Sequence, residues 1–316
     1  MEINAANSKL LEVPIDAIER NKENPRIVFR PGELEKLLES IRRFGIQVPI
    51  SVYRKGKKYI LIDGERRWRC SIKLNRKTIP ALVQDEPSPL LNLLLMFNIH
   101  GLREQWDLLT IALKLPRVIQ LIEQEGKTPT ERELADRTGL ARATIRRCRL
   151  LMELPDQYKD QLLVELNKPK SEQKLSEDFF IEMDKSLTTV QRVIPDLVSN
   201  KNRVRNVLIA KYRAGTISNL VDLRKVGKIA RAEKVNADPE VAKGVLTQLF
   251  SPNDYSIEQA YQESVAVAYS ERDVLTRARS LTEMLGDIDP EDVDDETAAA
   301  LKFLCECVTA LLRSRL

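Results

Sequence analysis

The stretch TERELADRTGLARATIRRCR, Thr130 to Arg149, decides how the middle of the chain is read. Thr130 followed three residues later by Glu133 has the capping-box pattern and predicts a helix start. That helix carries Leu134 and Ala135 and stops at Thr138-Gly139-Leu140, and a second helix follows with Ile145 and Cys148 on its inner face. The small Ala135 lets two helices approach closely, and Gly139 supplies the positive φ of a tight turn. Leu134, Leu140 and Ile145 fill the wedge between them. This is the layout of a helix-turn-helix. Its outward positions are Arg142, Thr144, Arg146, Arg147 and Arg149, with no acid on the second helix. Such a helix suits the major groove, where Arg grips guanine edges and Thr reaches bases or phosphates. Thr138, at the turn, joins the candidate DNA-binding residues. The plainer alternative is a helical hairpin with a basic exposed face. The register of small, glycine and apolar positions favours DNA binding.

Working outward, 316 residues allow two or three domains, each with its own core. Apolar residues make up 43% and charged residues 31%, a globular composition, and the abundance of Leu, Ala, Glu, Lys and Arg predicts a largely helical protein. No stretch approaches the roughly 18 apolar residues of a membrane span, and Met1 to Val13 lacks a signal-peptide pattern. The expectation is a cytoplasmic, DNA-associated protein with no membrane partner. The single histidine, His100, and four scattered cysteines supply no zinc site, no disulfide framework and no basis for most histidine-dependent hydrolysis.

Charge is uneven along the chain. Residues 1–170 hold 31 Lys and Arg against 23 Asp and Glu, whereas 171–316 hold 20 against 24. A basic half suits a polyanionic partner or, equally, a basic solvated surface.

Residues 12–85 read as a small mixed α/β unit. Val13-Pro14-Ile15 is a short strand, and Pro31 to Phe44 a helix with Leu34, Leu37, Leu38 and Ile41 on one face, closed by Gly45. Val48 to Tyr53 and Lys58 to Asp63 are strands joined at Lys55-Gly56-Lys57. A helix opens at Gly64, and Ile79 to Val83 is a further strand. From Leu90 the spacing is helical, and polar residues 167–176 read as a linker. The predicted fold is an α+β N-terminal domain over 12–88, a mostly helical DNA-binding domain over 89–166 and a helical C-terminal region over 177–316.

The second informative segment is Asp63-Gly64-Glu65-Arg66-Arg67-Trp68-Arg69, which leaves a strand and opens a helix. A helix N-terminus presents unpaired N–H groups and a positive dipole end, Gly64 permits close backbone approach, and arginines add forked donors. Those features point to a phosphate-bearing ligand. The alternative is that the arginines pair with Glu65 and Asp63. This is not a Walker loop, since no Gly-Lys-Ser/Thr follows.

Gly64-Glu65-Arg66-Arg67-Trp68-Arg69-Cys70 resembles the phosphate motif of the ParB/Srx superfamily, with Cys70 in place of a small Ala. Asn24-Pro25-Arg26-Ile27-Val28-Phe29 resembles its upstream element, and Gly45-Ile46-Gln47-Val48-Pro49-Ile50 its Gly-Ile-x-Gln-Pro-Ile element. Ile79 to Val83 matches its closing strand. Arg149-Leu150-Leu151-Met152-Glu153-Leu154-Pro155 is similar to the Arg-Leu-Leu-x-Leu-Pro that follows the family's helix-turn-helix. The resemblance covers residues 12–165 and identifies the chain as a divergent member of the ParB/RepB/Spo0J-type partition family.

That resemblance implies binding of CTP with Mg, and a nucleotide-controlled dimeric clamp around double-stranded DNA. The process implied is partition of plasmid, chromosome or phage DNA, with a motor ATPase as a further partner. Arg26, Gly45, Gln47, Pro49, Gly64, Glu65, Arg66, Arg67 and Arg69 would form the nucleotide site. In the third nucleotide element Asn98 persists, the residue through which a nucleotide-bound Mg would be met, but Phe97 stands where the family has Glu. Arg103-Glu104 is displaced by an insertion at Gly101-Leu102. Weak CTP hydrolysis, binding without turnover, another nucleotide, or none therefore stay open. The alternatives are a ParB-derived transcription regulator without the switch, and an enzyme of the superfamily, a kinase or nuclease. A sulfiredoxin-like role would need a reactive Cys70, which the pattern makes a packing residue.

Beyond residue 175 no motif is recognised. Lys201, Arg203, Arg205, Lys211, Arg213, Arg224, Lys225, Lys228 and Arg231 could form a second DNA surface or a solvated face. Leu301, Leu304, Val308 and Leu311 share one helical stripe, suited to a homodimer seam or to an internal core.

Overall fold

The structure, a computed structural model, describes residues 8–24, 31–101, 106–126, 128–289 and 292–313. Its contacts divide into two units. The first is Met1–Thr188 with Arg213–Gly215 and Asn219–Val221, and the second is Thr189–Tyr212, Thr216–Ser218 and Asp222–Leu316.

The first unit begins with a sheet. Its described strands are β1 (Lys9–Pro14), β2 (Ile18–Glu19), β3 (Ile50–Lys55), β4 (Lys58–Asp63) and β5 (Thr78–Gln84), in the order β1-β5-β3-β4-β2. The β3–β4 hairpin turns at Gly56, whose φ of 60° is the left-handed value such a turn needs. β1 runs antiparallel to β5, with Val13 opposite Ile79, and β5 lies parallel to β3. Val13, Ile15, Ile18, Ile50, Val52, Leu61, Ile79 and Ala81 form one buried cluster, and Trp68 packs against it. Helices α1 (Pro31–Phe44) and α2 (Glu65–Lys73) pack on each other, with Cys70 Sγ 3.7 Å from Leu34 O. The expected strand at Val48 starts two residues later, because Val48 lies in the loop leaving α1.

A helical part follows: α3 (Pro89–Gly101), α4 (Leu108–Glu123), α5 (Glu131–Thr138), α6 (Arg142–Met152), α7 (Asp156–Asn167) and α8 (Glu177–Val193). The 167–176 segment is not a free linker. Leu175 is buried, and the buried Glu165 carboxylate accepts from Lys174 N at 3.0 Å and pairs with Lys168 at 2.8 Å. Burial alone would raise the Glu165 pKa, but Lys168 and Lys174 hold it below the ordinary carboxylate value. Polar composition hid this, because the polar groups bond to one another. The boundary between units falls inside α8, twelve residues beyond the expected linker.

The second unit holds α9 (Lys201–Ala214, save its last residues), α10 (Leu223–Ile229), α11 (Pro239–Leu249), α12 (Ile257–Ser264), α13 (Ala266–Gly286) and α14 (Asp295–Arg313). Leu208, Leu223, Val226, Leu246, Leu249 and Ala260 form its core. α13 and α14 bury no described residue. The fold is thus an α+β N-terminal domain followed by helical regions. Among the described residues no helix is long and apolar enough to cross a membrane.

Candidate nucleic-acid interface and phosphate loop

α5 starts where the sequence places it, with Thr130 Oγ1 accepting from Glu133 N at 3.2 Å. The capping box is half made, because the Glu133 carboxylate pairs with Arg137 at 3.2 Å instead. Gly139 closes α5 at φ 72°, its N–H donating to Ala135 O at 2.9 Å. Leu134, Ala135, Leu140, Ile145, Cys148 and Leu151 are buried, so the wedge between α5 and α6 is filled by the residues expected.

Those inward residues turn the other side of α6 outward. Arg142 and Arg146 are exposed, and Arg147, Arg149 and Thr144 are half-buried. Arg142 makes no ion pair among the described residues. Arg146 and Arg149 share Glu131 at 2.9 and 3.9 Å, and Arg147 pairs with Asp178 of α8 at 2.7 Å. Exposed pairs of this kind contribute about 0–1 kcal/mol, so a phosphate can displace either carboxylate at little cost. Thr138 does not belong to this face. It is fully buried, its hydroxyl donating to Leu134 O at 2.5 Å and accepting from Leu140 N at 3.4 Å. A threonine beside a turn bonds back to the preceding carbonyl as readily as it faces outward, so adjacency misled.

The candidate phosphate loop lies between β4 and α2. Gly64 stands at φ 94° and has no side chain to cap α2, whose first-turn N–H groups keep their donor capacity. A Cβ on Gly64 would lie 2.5 Å from Ile50 Cγ2, so the glycine is required by packing as well as by conformation. Arg67 donates to Asp63 at 2.8 Å and to Val48 O at 3.1 Å, tying the loop after α1 to the end of β4. In that loop Gly45 closes α1 at φ 71°, Pro49 is half-buried, and the exposed Gln47 amide bonds to Phe44 O.

Glu65 makes the arginine pairing that the sequence left as an alternative, and extends it to Arg20 and Asn24. Its buried carboxylate takes Arg20 at 2.7 Å, Arg69 at 2.6 Å and the Asn24 amide at 2.6 Å. It gathers three segments and cannot itself face an anion. Two of the three motif arginines therefore hold carboxylates, the pairing alternative raised above, while Arg66 lies half-buried on the same first turn. Arg20 carries no sequence signal; only the fold brings it to Glu65. Arg26 lies outside the described residues.

Asn98 serves the other site. Its amide donates to Leu94 O at 2.9 Å and to Arg137 O at 3.2 Å, and its Oδ1 would lie 2.6 Å from a Cβ on Gly139. Phe97 is fully buried, edge-on to Trp106 at 5.3 Å. Residues 102–105 and the His100 side chain lie outside the described residues. Among described residues no group of His, Cys, Asp and Glu could hold a metal ion. Cys70 is buried and its thiol pushed above the ordinary range by that burial, which suits packing rather than reactivity.

The basic residues of 201–231 do not form one surface. Arg205 and Lys211 are buried, Lys211 donating to Asn253 Oδ1 at 2.8 Å and Tyr255 O at 2.6 Å. Arg213 belongs to the first unit, 3.8 Å from Glu165.

A mixed sheet with a glycine-opened basic helix, followed by two helices across a left-handed glycine, defines a two-part class that joins an anion-type loop to a basic helical face. Residues 1–99 match the family described as ParB N-terminal domain. A probable chromosome-partitioning protein ParB of Pseudomonas putida is 35% identical over 156 residues, 49% of this chain and 51% of that protein. A nucleoid occlusion protein of Bacillus cereus is 27% identical over 252 residues, 76% and 77% of the two chains. A crystal structure of C-terminally truncated ParB from Caulobacter crescentus, complexed with CTP-gamma-S, is 29% identical, with a TM-score of 0.29, over 49% of this chain and 85% of that one. The chain spans about half the length of the Pseudomonas relative. Its N-terminal region is thus similar to ParB N-terminal domains, and its first half to chromosome-partitioning proteins.

Proposed function

We propose that the protein binds double-stranded DNA in a sequence-specific manner and acts in DNA partition of the ParB type, with α6 as the recognition helix. The observation that carries this is the outward face of α6, where Arg142, Arg146, Arg147 and Arg149 stand with only surface carboxylates to displace. Thr144 sits among them. Similarity to chromosome-partitioning proteins over half the chain supports the process. Replacing Arg146 and Arg147 together by Ala should abolish specific binding to a selected DNA site; unchanged binding would remove α6 from this role.

For the N-terminal domain the reading is CTP held at the start of α2. The uncapped N–H groups and Arg66 fit a phosphate, Arg67 and Arg69 would exchange Asp63 and Glu65 for it, and the Gly45–Ile50 loop, with Gln47 and Pro49, would border the base or ribose. Magnesium would arrive with the phosphates. Asn98 does not fit as its partner, because its Oδ1 is turned against Gly139 while its Nδ2 bonds Leu94 O and Arg137 O. Equilibrium binding of labelled CTP, ATP and GTP, with and without magnesium and DNA, tests this reading separately from DNA binding. A homodimer fits the bare apolar side chains of α14, Phe303, Leu304, Val308 and Leu311.

One observation favours a second reading, a ParB-derived regulator without the nucleotide switch. Phe97 fills the core where the family's carboxylate would stand, and among the described residues no group of His, Cys, Asp and Glu could hold a metal ion. Absence of binding to all three nucleotides, with DNA binding intact, would select it.

A further inference from the structure

In the second unit α10, α12 and the start of α13 enclose an open groove of about 640 Å³. Lys228, Tyr261, Gln262, Tyr269, Ser270 and Asp273 line it. The two tyrosine rings lie 28° from parallel with centroids 6.2 Å apart. Lys228 Nζ stands 5.2 Å from the Tyr269 centroid and 5.8 Å from that of Tyr261.

The charges around the groove are not equivalent. Lys225, also over Tyr261, is neutralised by Asp222 at 3.0 Å and by Glu258. Asp273 is taken by Arg277 at 2.8 Å. Lys228 is exposed and has no carboxylate partner among the described residues. What remains is one uncompensated ammonium set over two aromatic rings, with the Ser270 hydroxyl and the Gln262 side chain, whose Nε2 donates to Glu258 at 2.8 Å, beside it in an open groove.

A ligand that uses all of these features has a planar π-face for the tyrosines, an anion for Lys228 and hydrogen-bonding edges for Ser270 and Gln262. An acidic peptide would answer the lysine but leave the rings unused. Paired bases in a duplex keep their faces stacked on one another, so they cannot reach a tyrosine. We propose that this groove binds single-stranded nucleic acid, an unpaired base stacking at Tyr261/Tyr269 with its phosphodiester on Lys228. The site is separate from α6 and does not depend on its role.

The test is fluorescence anisotropy of a labelled oligothymidine of about 15 nucleotides with the full chain at low salt. Wild type should bind. Tyr269→Ala should weaken binding roughly 10-fold, the loss of one stacked base, while Tyr269→Phe retains it. Lys228→Gln, a surface change that keeps the fold, should make the salt dependence shallower by about 0.7. Arg146→Ala with Arg147→Ala should leave oligothymidine binding intact. Failure of the wild type to bind, or wild-type affinity and salt slope in Lys228→Gln and Tyr269→Ala, would overturn the proposal. Equal loss in the α6 double variant would do so too, by assigning the strand to α6.

Discussion

Replacing Gly139 by Ala tests the joint between α3 and the α5–α6 turn. At φ 72° an alanine costs about 1–2 kcal/mol. Its Cβ would also fall 2.6 Å from Asn98 Oδ1. Asn98 is a movable side chain, but moving it breaks its bonds to Leu94 O and Arg137 O, worth about 0.5–1 kcal/mol each for a half-buried amide. The single change should therefore cost roughly 2–4 kcal/mol. Asn98→Ala should cost about 1–2 kcal/mol for the same two bonds. In the double variant the clash is gone, so the total should stay near 2–4 kcal/mol instead of the 3–6 of simple addition, a coupling of about 1–2 kcal/mol. Both tryptophans, Trp68 and Trp106, lie in the first unit, so urea titration followed by their fluorescence reads that unit alone. Additivity within about 0.5 kcal/mol would refute the contact as described.

Glu65→Gln should lower the urea midpoint of the same unit by the equivalent of about 1–3 kcal/mol, because Arg20 and Arg69 lose their countercharge; both are partly solvated, which holds the loss below that of a fully buried pair. Gly64→Ala should cost about 3 kcal/mol from the positive φ and the contact with Ile50, again by urea titration, and an unchanged midpoint would contradict the packing. Under native conditions near pH 8 a thiol reagent should modify the exposed Cys305 and Cys307 and spare Cys70 and Cys148 until urea is added. Burial pushes the Cys148 thiol up to about 12. Its neutral form thus favours the fold, a contribution fully present below the unfolded pKa of about 8.5 and lost as pH rises toward 12; stability measured by urea should fall across that window.

The α5–α6 pair was legible because every determinant is local: a cap, a small residue, a glycine and apolar positions within twenty residues. The strand–glycine–helix at Gly64 was legible for the same reason. Glu65 was not, since its partners Arg20 and Asn24 lie more than forty residues upstream and meet it through the β2–β4 pairing. Asn98 carried the family's identity but a different local use, because Gly139 is a distant residue that presses on it. Composition failed at 167–176 for a related reason, as Lys168, Gln173 and Lys174 are polar yet satisfied by one another and by Glu165.

The two asparagines of α3 make it a strut. Asn92 accepts a buried hydrogen bond from Asn21 at 3.0 Å, one residue from the Arg20 that grips Glu65, and Asn98 bonds the carbonyl at the end of α5. Six residues along a helix separate these pins by about 9 Å, too short a rod to bend. α3 is thereby pinned at one end to the segment that grips Glu65 and at the other to the turn before α6.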